Sequence, residues 1–382
     1  MESPDPKAGV TLSIRGDGLS FELLNKFRDP ELCGKVLETL RAELSGGLRF
    51  MEVCGTHTVA IFQSGLRSLL PDEIIHLSGP GCPVCVTHES EVNAFLDLAG
   101  RDNVIMATFG DLMRVPGHQG RNLKKAQADG ARVKVVYSPF DTLKLARENP
   151  GDLVVFIGVG FETTAPTIAA TMKMAREQGL DNVRVLCFHK TVPAALEVLL
   201  ADEKAGIEGF ILPGHVSAII GLEPYKFIAD KYSRSAVITG FEPLDILQSL
   251  LQMVRWRNAG EAHVVNNYTR IVGDAGNGKA REIMYEVFEP SDALWRGIGR
   301  IPGSGLEIRP QWEMFDAKKE FGIVIEEGAP LPGCKCGDIL KGIKRPDECP
   351  LFKKACTPAN PVGPCMVSTE GSCAAYYKYK LD

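Results

Sequence analysis

The sequence predicts an α/β chain built as two Rossmann-like lobes with parallel sheets, followed by a C-terminal region rich in cysteine. Three observations carry that reading. Short β-branched runs, each ending in glycine, proline or polar residues, recur from residue 74 to 243. The stretches between them have helical periodicity, as in PTIAATMKMAREQGL from Pro166 and PAALEVLLADEKA from Pro193. After about residue 260 this rhythm stops, and six of the eleven cysteines lie from Cys334 onward.

Taken in order, the runs begin at Ile74, Val104, Val133, Leu153, Val183, Gly209 and Ala236, and a shorter one, LRFMEV, precedes Cys54. Continuous apolar runs bounded by turn residues describe strands buried on both faces. Strands alternating with helices imply βαβ crossovers and parallel pairing. The expected division is an N-terminal extension over 1–24, one lobe over 25–140 and a second over 141–260, with the junction near Pro139–Asp152. Residues 261–382 then form a mixed region of strands and loops that ends in the cysteine field. Open α/β sheets bind ligands beyond the carboxyl ends of their strands. CGTHT, GPGCPVC, FGD, GVGFETT, PGHVS and GFEP all fall at such ends, which predicts a shared cleft.

Bulk properties narrow the function classes. With 45% hydrophobic and 24% charged residues, the 382-residue chain has the makeup of an ordinary globular protein. A net charge of −5 without any basic block gives no nucleic-acid footprint. The N-terminus lacks the basic and apolar parts of a signal peptide, and no apolar run approaches a membrane span. A cytoplasmic location is expected, where structural disulfides are rare. Grouped cysteines in such a chain point to metal or redox chemistry. Cys33 and Cys187 stand alone in apolar surroundings and read as core residues.

The C-terminal field holds Cys334, Cys336, Cys349, Cys356, Cys365 and Cys373. Zinc usually takes paired CxxC knuckles, and only Cys334-Lys-Cys336 is tight here. A disulfide framework suits secreted domains. Four of the six could converge on an iron–sulfur cluster, leaving two as a redox pair. Upstream, Cys54 has His57 three residues on, in a polar turn after a strand. A soft thiolate ligand, or a nucleophile whose pKa the histidine lowers, competes with a buried inert thiol. Cys82-Pro-Val-Cys85 reads as a thiol–disulfide pair, with a helix N-terminus to stabilise one thiolate. Half a zinc site is the other option, but no second CxxC completes it. His215 is as readily a solvated turn residue as a cleft residue. Glu162 and Glu242 read as helix caps, and Asp111 with Arg114 as an ion pair. GVGFETT satisfies no nucleotide-loop pattern.

Several motifs together carry a family resemblance. CGTHT, GPGCPVC, PGHVS and GFEPLDIL occur in order, followed by Cys336-Gly337, Pro346–Cys349, Cys356-Thr357-Pro358, MVS and EGxCxAYY ending at Tyr377. Over roughly residues 25–380 the chain resembles the HypD family of hydrogenase maturation factors. That resemblance implies a scaffold and redox protein, not a turnover enzyme, for assembling the Fe(CN)2CO centre of NiFe hydrogenase. It implies a 4Fe–4S cluster on Cys334, Cys349, Cys356 and Cys373, with Cys336 and Cys365 as a nearby thiol or disulfide pair. Cys54 would hold the transient iron with its cyanide and carbon monoxide, His57 would support it as a donor or proton relay, and Cys82 and Cys85 would carry electrons. The implied partners are a HypC-type small chaperone, a HypE-type cyanide donor and, indirectly, the hydrogenase large subunit. Two other classes compete: a freestanding iron–sulfur oxidoreductase acting on a small metabolite, and a docking protein with a purely structural cluster.

Overall fold

The computed structural model describes residues 25–328 and 331–379, so the expected 1–24 extension lies outside the described residues. All seven expected runs are strands. They join LRFMEV and a short ninth strand in two separate parallel sheets. The strands are β1 (Leu48–Glu52), β2 (Ile74–Ser78), β3 (Val104–Thr108), β4 (Val133–Val135), β5 (Leu153–Gly158), β6 (Val183–Cys187), β7 (Gly209–Pro213), β8 (Ser235–Thr239) and β9 (Val264–Asn266). The first sheet has the order β2-β1-β7-β8-β9 and the second β4-β3-β5-β6.

That order corrects the expected domain division. Residues 139–152 are no junction: helix Asp141–Glu148 connects β4 to β5 inside the second sheet. The chain starts the first lobe, leaves it after β2, builds the whole second lobe from β3 to β6, and returns for β7 to β9. Periodicity identifies strands but is the same in both sheets, so it carries no information on which strand pairs with which.

The strands divide their side chains between faces with a period of two. Val154, Phe156 and Val185 pack against helix Ala165–Glu177 and helix Gly278–Val287, through Ile168, Met172 and Met284. Val155, Ile157 and Leu186 face the other way, into a core shared with Met51, Leu77 and Leu212 of the first lobe and with Ile339 and Met366 of the cysteine field. On the outer side of the first sheet, Phe50, Ile211 and Val237 meet Leu37 and Leu40 of helix Pro30–Glu43 and Leu247 and Leu250 of helix Pro243–Ala259. The mixed region supplies an antiparallel hairpin, β10 (Phe288–Trp295) and β11 (Gly299–Ile308). Isolated bridges attach it to both lobes, at Thr87↔Trp295 and Lys190↔Gly305. The C-terminal helix Ser372–Tyr379 lies on helix Gly55–Gln63, where the Phe62 and Tyr376 rings meet edge to face at 4.9 Å. No helix among the described residues is long and apolar enough to cross a membrane.

Candidate functional site

Cys54 leaves the end of β1 as the N-cap of helix Gly55–Gln63. β1 and β2 are parallel neighbours in register, so the turn after β2 lies directly beside the turn after β1. The approach is closer than a side chain allows. A Cβ on Gly81 would meet the Cys54 nitrogen at 2.2 Å, and one on Gly55 would meet the Glu370 carbonyl oxygen at 2.5 Å. CGTHT is therefore held between the GPGCPVC turn and the EGSC turn of the C-terminal region. Thr56 Oγ1 donates to Glu370 Oε1 at 2.8 Å and fixes the second contact.

Beneath the turn is a buried carboxylate that sequence reading missed. Glu52 accepts a hydrogen bond from the Cys54 N–H at 3.0 Å and another from Thr58 Oγ1. His76 Nε2 is 3.6 Å away, with its ring stacked on Phe50. The available signal was an acid inside the apolar run LRFMEV, because acids are almost never fully buried unless paired. Burial pushes the Cys54 thiol up to about 12. Burial also lowers His57 to about 4, so this imidazole is neutral. Its Nε2 bonds to the Gly240 carbonyl at 3.0 Å, its ring rests on Phe241, and its Nδ1 is buried with no hydrogen-bond partner among the described residues. The expectation that His57 lowers the Cys54 pKa is thus not met: a neutral imidazole supplies no charge, and burial dominates.

Cys82 and Cys85 are both buried, and the Cys85 N–H donates to Cys82 Sγ at 3.3 Å. Burial pushes the Cys85 thiol up, and its hydrogen bonds with Cys365 and Cys82 push the same way. Cys365 also neighbours Cys336. The Cys336 thiol hydrogen-bonds to Cys334, which lowers Cys334 to about 7. The upstream CxxC therefore lies against the C-terminal field, with Cys85 beside Cys365 and with Cys365, Cys336 and Cys334 lining one cavity. None of these cysteines is in a disulfide, and the expected Cys336/Cys365 pair stands as two free, neighbouring thiols.

All six C-terminal cysteines line one small cavity with Ile339, Leu351, Phe352 and Met366. Cys373 and Cys356 each lie within electrostatic reach of both Cys334 and Cys349, and burial raises both thiols. The Val362 N–H donates to Cys356 Sγ at 3.3 Å. Among the described residues, no three His, Cys, Asp or Glu side chains stand in a ready metal-binding arrangement. Loading a metal there would require the protonated thiols to lose their protons. As a donor set, thiols from separate loops in an apolar shell fit an iron–sulfur cluster.

The remaining motif residues have structural work. Glu162 Oε1 accepts from the Val192 N–H at 3.0 Å, capping helix Val192–Ala201, and burial raises its carboxyl to about 7. Glu242 caps helix Pro243–Ala259 and pairs with Arg28. Asp111 and Arg114 are not each other's partners. Asp111 accepts from Ser368 Oγ at 3.1 Å, and Arg114 donates to the Pro358 and Val367 carbonyls, so both clamp the cysteine field onto the second lobe. Cys187 is buried and donates to the Leu306 carbonyl at 3.1 Å, and Cys33 is half-buried in its helix. His215 is exposed, 4.4 Å from the Phe241 ring.

The family model described as HypD, "Hydrogenase formation hypA family", matches residues 31–380. Hydrogenase maturation factor HypD of Escherichia coli (strain K12) is 44% identical over 368 residues, covering 94% of this chain and 98% of the relative. That of Rhizobium leguminosarum bv. viciae is 43% identical over 368 residues, covering 94% and 96%. The hydrogenase expression/formation protein HupD of Azotobacter chroococcum mcd 1 is 43% identical over 367 residues, covering 94% and 97%. With agreement over nearly its whole length, the chain belongs to the HypD family of hydrogenase maturation factors.

Proposed function

We propose that the chain is a scaffold and redox protein on which the iron–cyanide–carbonyl centre of a NiFe hydrogenase is assembled. Iron, as cargo, is held by the Cys54 sulfur together with a small HypC-type chaperone, and a HypE-type protein donates cyanide. The hydrogenase large subunit receives the product indirectly. The observation that carries this reading is the meeting of three motifs at Cys54, where Gly81 packs on its backbone and Glu370 covers the following glycine. A soft metal taken up there replaces the thiol proton, since the buried sulfur is otherwise protonated at neutral pH. His57, whose buried Nδ1 has no hydrogen-bond partner among the described residues, serves as proton relay on the same turn.

Cys334, Cys349, Cys356 and Cys373 would hold a 4Fe–4S cluster, which when bound supplies one-electron redox chemistry. The approach of Cys85 to Cys365, which lines the same cavity as Cys334 and Cys336, supports Cys82 and Cys85 as the thiols that take up reducing equivalents. Such thiols remain reduced in the cytoplasm, the compartment this work requires.

The test is vibrational spectroscopy of the anaerobically purified chain with its small partner. Bands of bound cyanide and carbon monoxide should appear and should vanish in Cys54→Ala; their persistence would rule out Cys54 as the ligand. The Cys82→Ala/Cys85→Ala chain should keep its visible charge-transfer absorption yet fail to assemble the centre. Unchanged assembly would rule out their redox role.

A further inference from the structure

Arg67 belongs to no motif at the Cys54 turn, yet its side chain reaches the groups beneath that turn. It lies in the short helix Leu66–Leu69 and is half-buried. Its Nη1 stands 3.2 Å from His76 Nδ1. Its guanidinium carbon is 4.6 Å from the centre of the Tyr376 ring and 5.2 Å from that of Phe62, cation–π contacts that help to hold the group in place.

The pairing of β1 with β2 accounts for what lies on the other side of the imidazole. The strands are parallel, with Phe50 opposite His76, and side chains alternate between faces with a period of two. Glu52, two residues beyond Phe50, therefore shares the face of His76. His76 is 4% exposed, its ring stacks on Phe50 at 5.2 Å, and its Nε2 is 3.6 Å from Glu52 Oε1. Glu52 in turn accepts from the Cys54 N–H and from Thr58 Oγ1. One line of polar groups thus runs from Arg67 through His76 and Glu52 to Cys54.

Donor chemistry fixes the direction of this line. A guanidinium only donates, so His76 Nδ1 accepts and carries no proton. The ring's one proton is then on Nε2, the nitrogen turned towards Glu52. At 3.6 Å this N–H falls just short of a full hydrogen bond, and it has no other partner among the described residues. A buried carboxylate depends on every donor around it, so an imidazole presenting its lone pair there would repel it. Arg67 keeps the acceptor side of the ring turned away and the donor side facing the acid.

We infer that Arg67 is a positioning residue of the iron-binding turn: by donating to His76 Nδ1 it keeps the Nε2 proton on Glu52, the carboxylate that holds the Cys54 backbone. The inference rests on the reading that Cys54 holds the iron cargo. Arg67 touches neither the sulfur nor the cargo. No bond is made or broken along the line, which is in place before any metal arrives.

The test uses the full chain, metal-free and anaerobic, with iodoacetamide as probe and mass spectrometry to follow each cysteine. Arg67→Met keeps an unbranched side chain against the Tyr376 and Phe62 rings but removes the donor. Cys54 should then be alkylated about fivefold faster, the factor carried by a net hydrogen bond of ~1 kcal/mol. Cys33, in helix Pro30–Glu43, should keep its wild-type rate. Arg67→Lys, which retains a charged donor, should stay near wild type. His76→Phe keeps the stack on Phe50 and loses both nitrogens; in that background Arg67→Met should add nothing. Nitrogen NMR of the histidine-labelled wild type should show His76 protonated on Nε2 alone. In the chain loaded with its small partner, the cyanide and carbon monoxide bands should weaken in Arg67→Met and return in Arg67→Lys. A wild-type alkylation rate or undiminished bands in Arg67→Met, an undiminished effect in the His76→Phe background, no recovery in Arg67→Lys, or a His76 proton on Nδ1 overturns the inference alone. Should His76→Phe fail to fold, the contrast between Arg67→Met and Arg67→Lys decides. A wild-type chain without those bands overturns the iron reading and the inference with it.

Discussion

Replacing Glu162 with glutamine should change how stability depends on pH, and the size of the change follows from its surroundings. The carboxyl is 2% exposed, accepts one backbone N–H from Val192, and leaves its second oxygen buried with no partner among the described residues. Burial raises its pKa from 4.5 to about 7. A group with a raised folded pKa contributes stability that is fully present below its unfolded pKa and lost as pH rises through the folded one. For wild type that window runs from about pH 4.5 to 7. The gap of about 2.5 units corresponds to roughly 3 kcal/mol lost between the ends of the window, at 1.36 kcal/mol per unit. Glutamine keeps the acceptor for Val192 but does not ionise. Its second group adds a constant offset, so the informative quantity is the difference between the two chains as pH changes. Urea midpoints measured from pH 4.5 to 8.5 should show the variant gaining on wild type by roughly 3 kcal/mol towards the alkaline end. Parallel pH profiles would mean that Glu162 is not a buried neutral acid, and the capping account would fail.

Two other substitutions probe the meeting of motifs. Gly81→Ala sets a methyl against the Cys54 backbone nitrogen at 2.2 Å; overpacking of this kind costs about 1–3 kcal/mol. Thermal midpoints should fall, and alkylation of Cys54 in the metal-free chain should speed up, whereas unaltered values would mean the two turns are not in contact. Arg114→Ala removes the donors to the Pro358 and Val367 carbonyls. Limited proteolysis should then cut the region after residue 333 faster, with the lobes left intact; an unchanged cleavage pattern would deny the clamp.

Strand identity was legible because β-branched runs such as VIMAT and LVVFIG are buried on both faces and carry no competing signal. Pairing was not. β1 lies between β2 and β7, and nothing local in LRFME specifies a partner 159 residues away. The clustering of motifs at strand ends was legible from topology alone, and so was the place of Glu242 at the start of its own helix, since acids before helix starts serve orphan N–H groups; Glu162 instead caps helix Val192–Ala201 and not the helix that follows it in sequence. The behaviour of His57 was misjudged because its environment comes from Gly240 and Phe241, which reach it only through the parallel sheet. Glu370 escaped for the same reason, being defined by a contact across the fold, whereas Glu52 left a local signal, an acid inside an apolar run, that went unread. Asp111 and Arg114 are close in sequence, and that proximity suggested a pair, but each reaches the C-terminal region instead.

The detour of the chain between β2 and β7 has a consequence for synthesis. On a ribosome, β1 emerges with one side open and waits while more than a hundred further residues appear. Those residues carry the strands of the second sheet, but both of its faces are completed by parts of the chain outside the insert, so the gap closes fully only once helix Gly278–Val287 and the first lobe are in place. The turn bearing Cys54 acquires its cover from Glu370 only after that residue has been made. A shorter nascent chain therefore cannot present the turn in its finished form, and the geometry around Cys54 is completed late in the order in which the polypeptide is threaded.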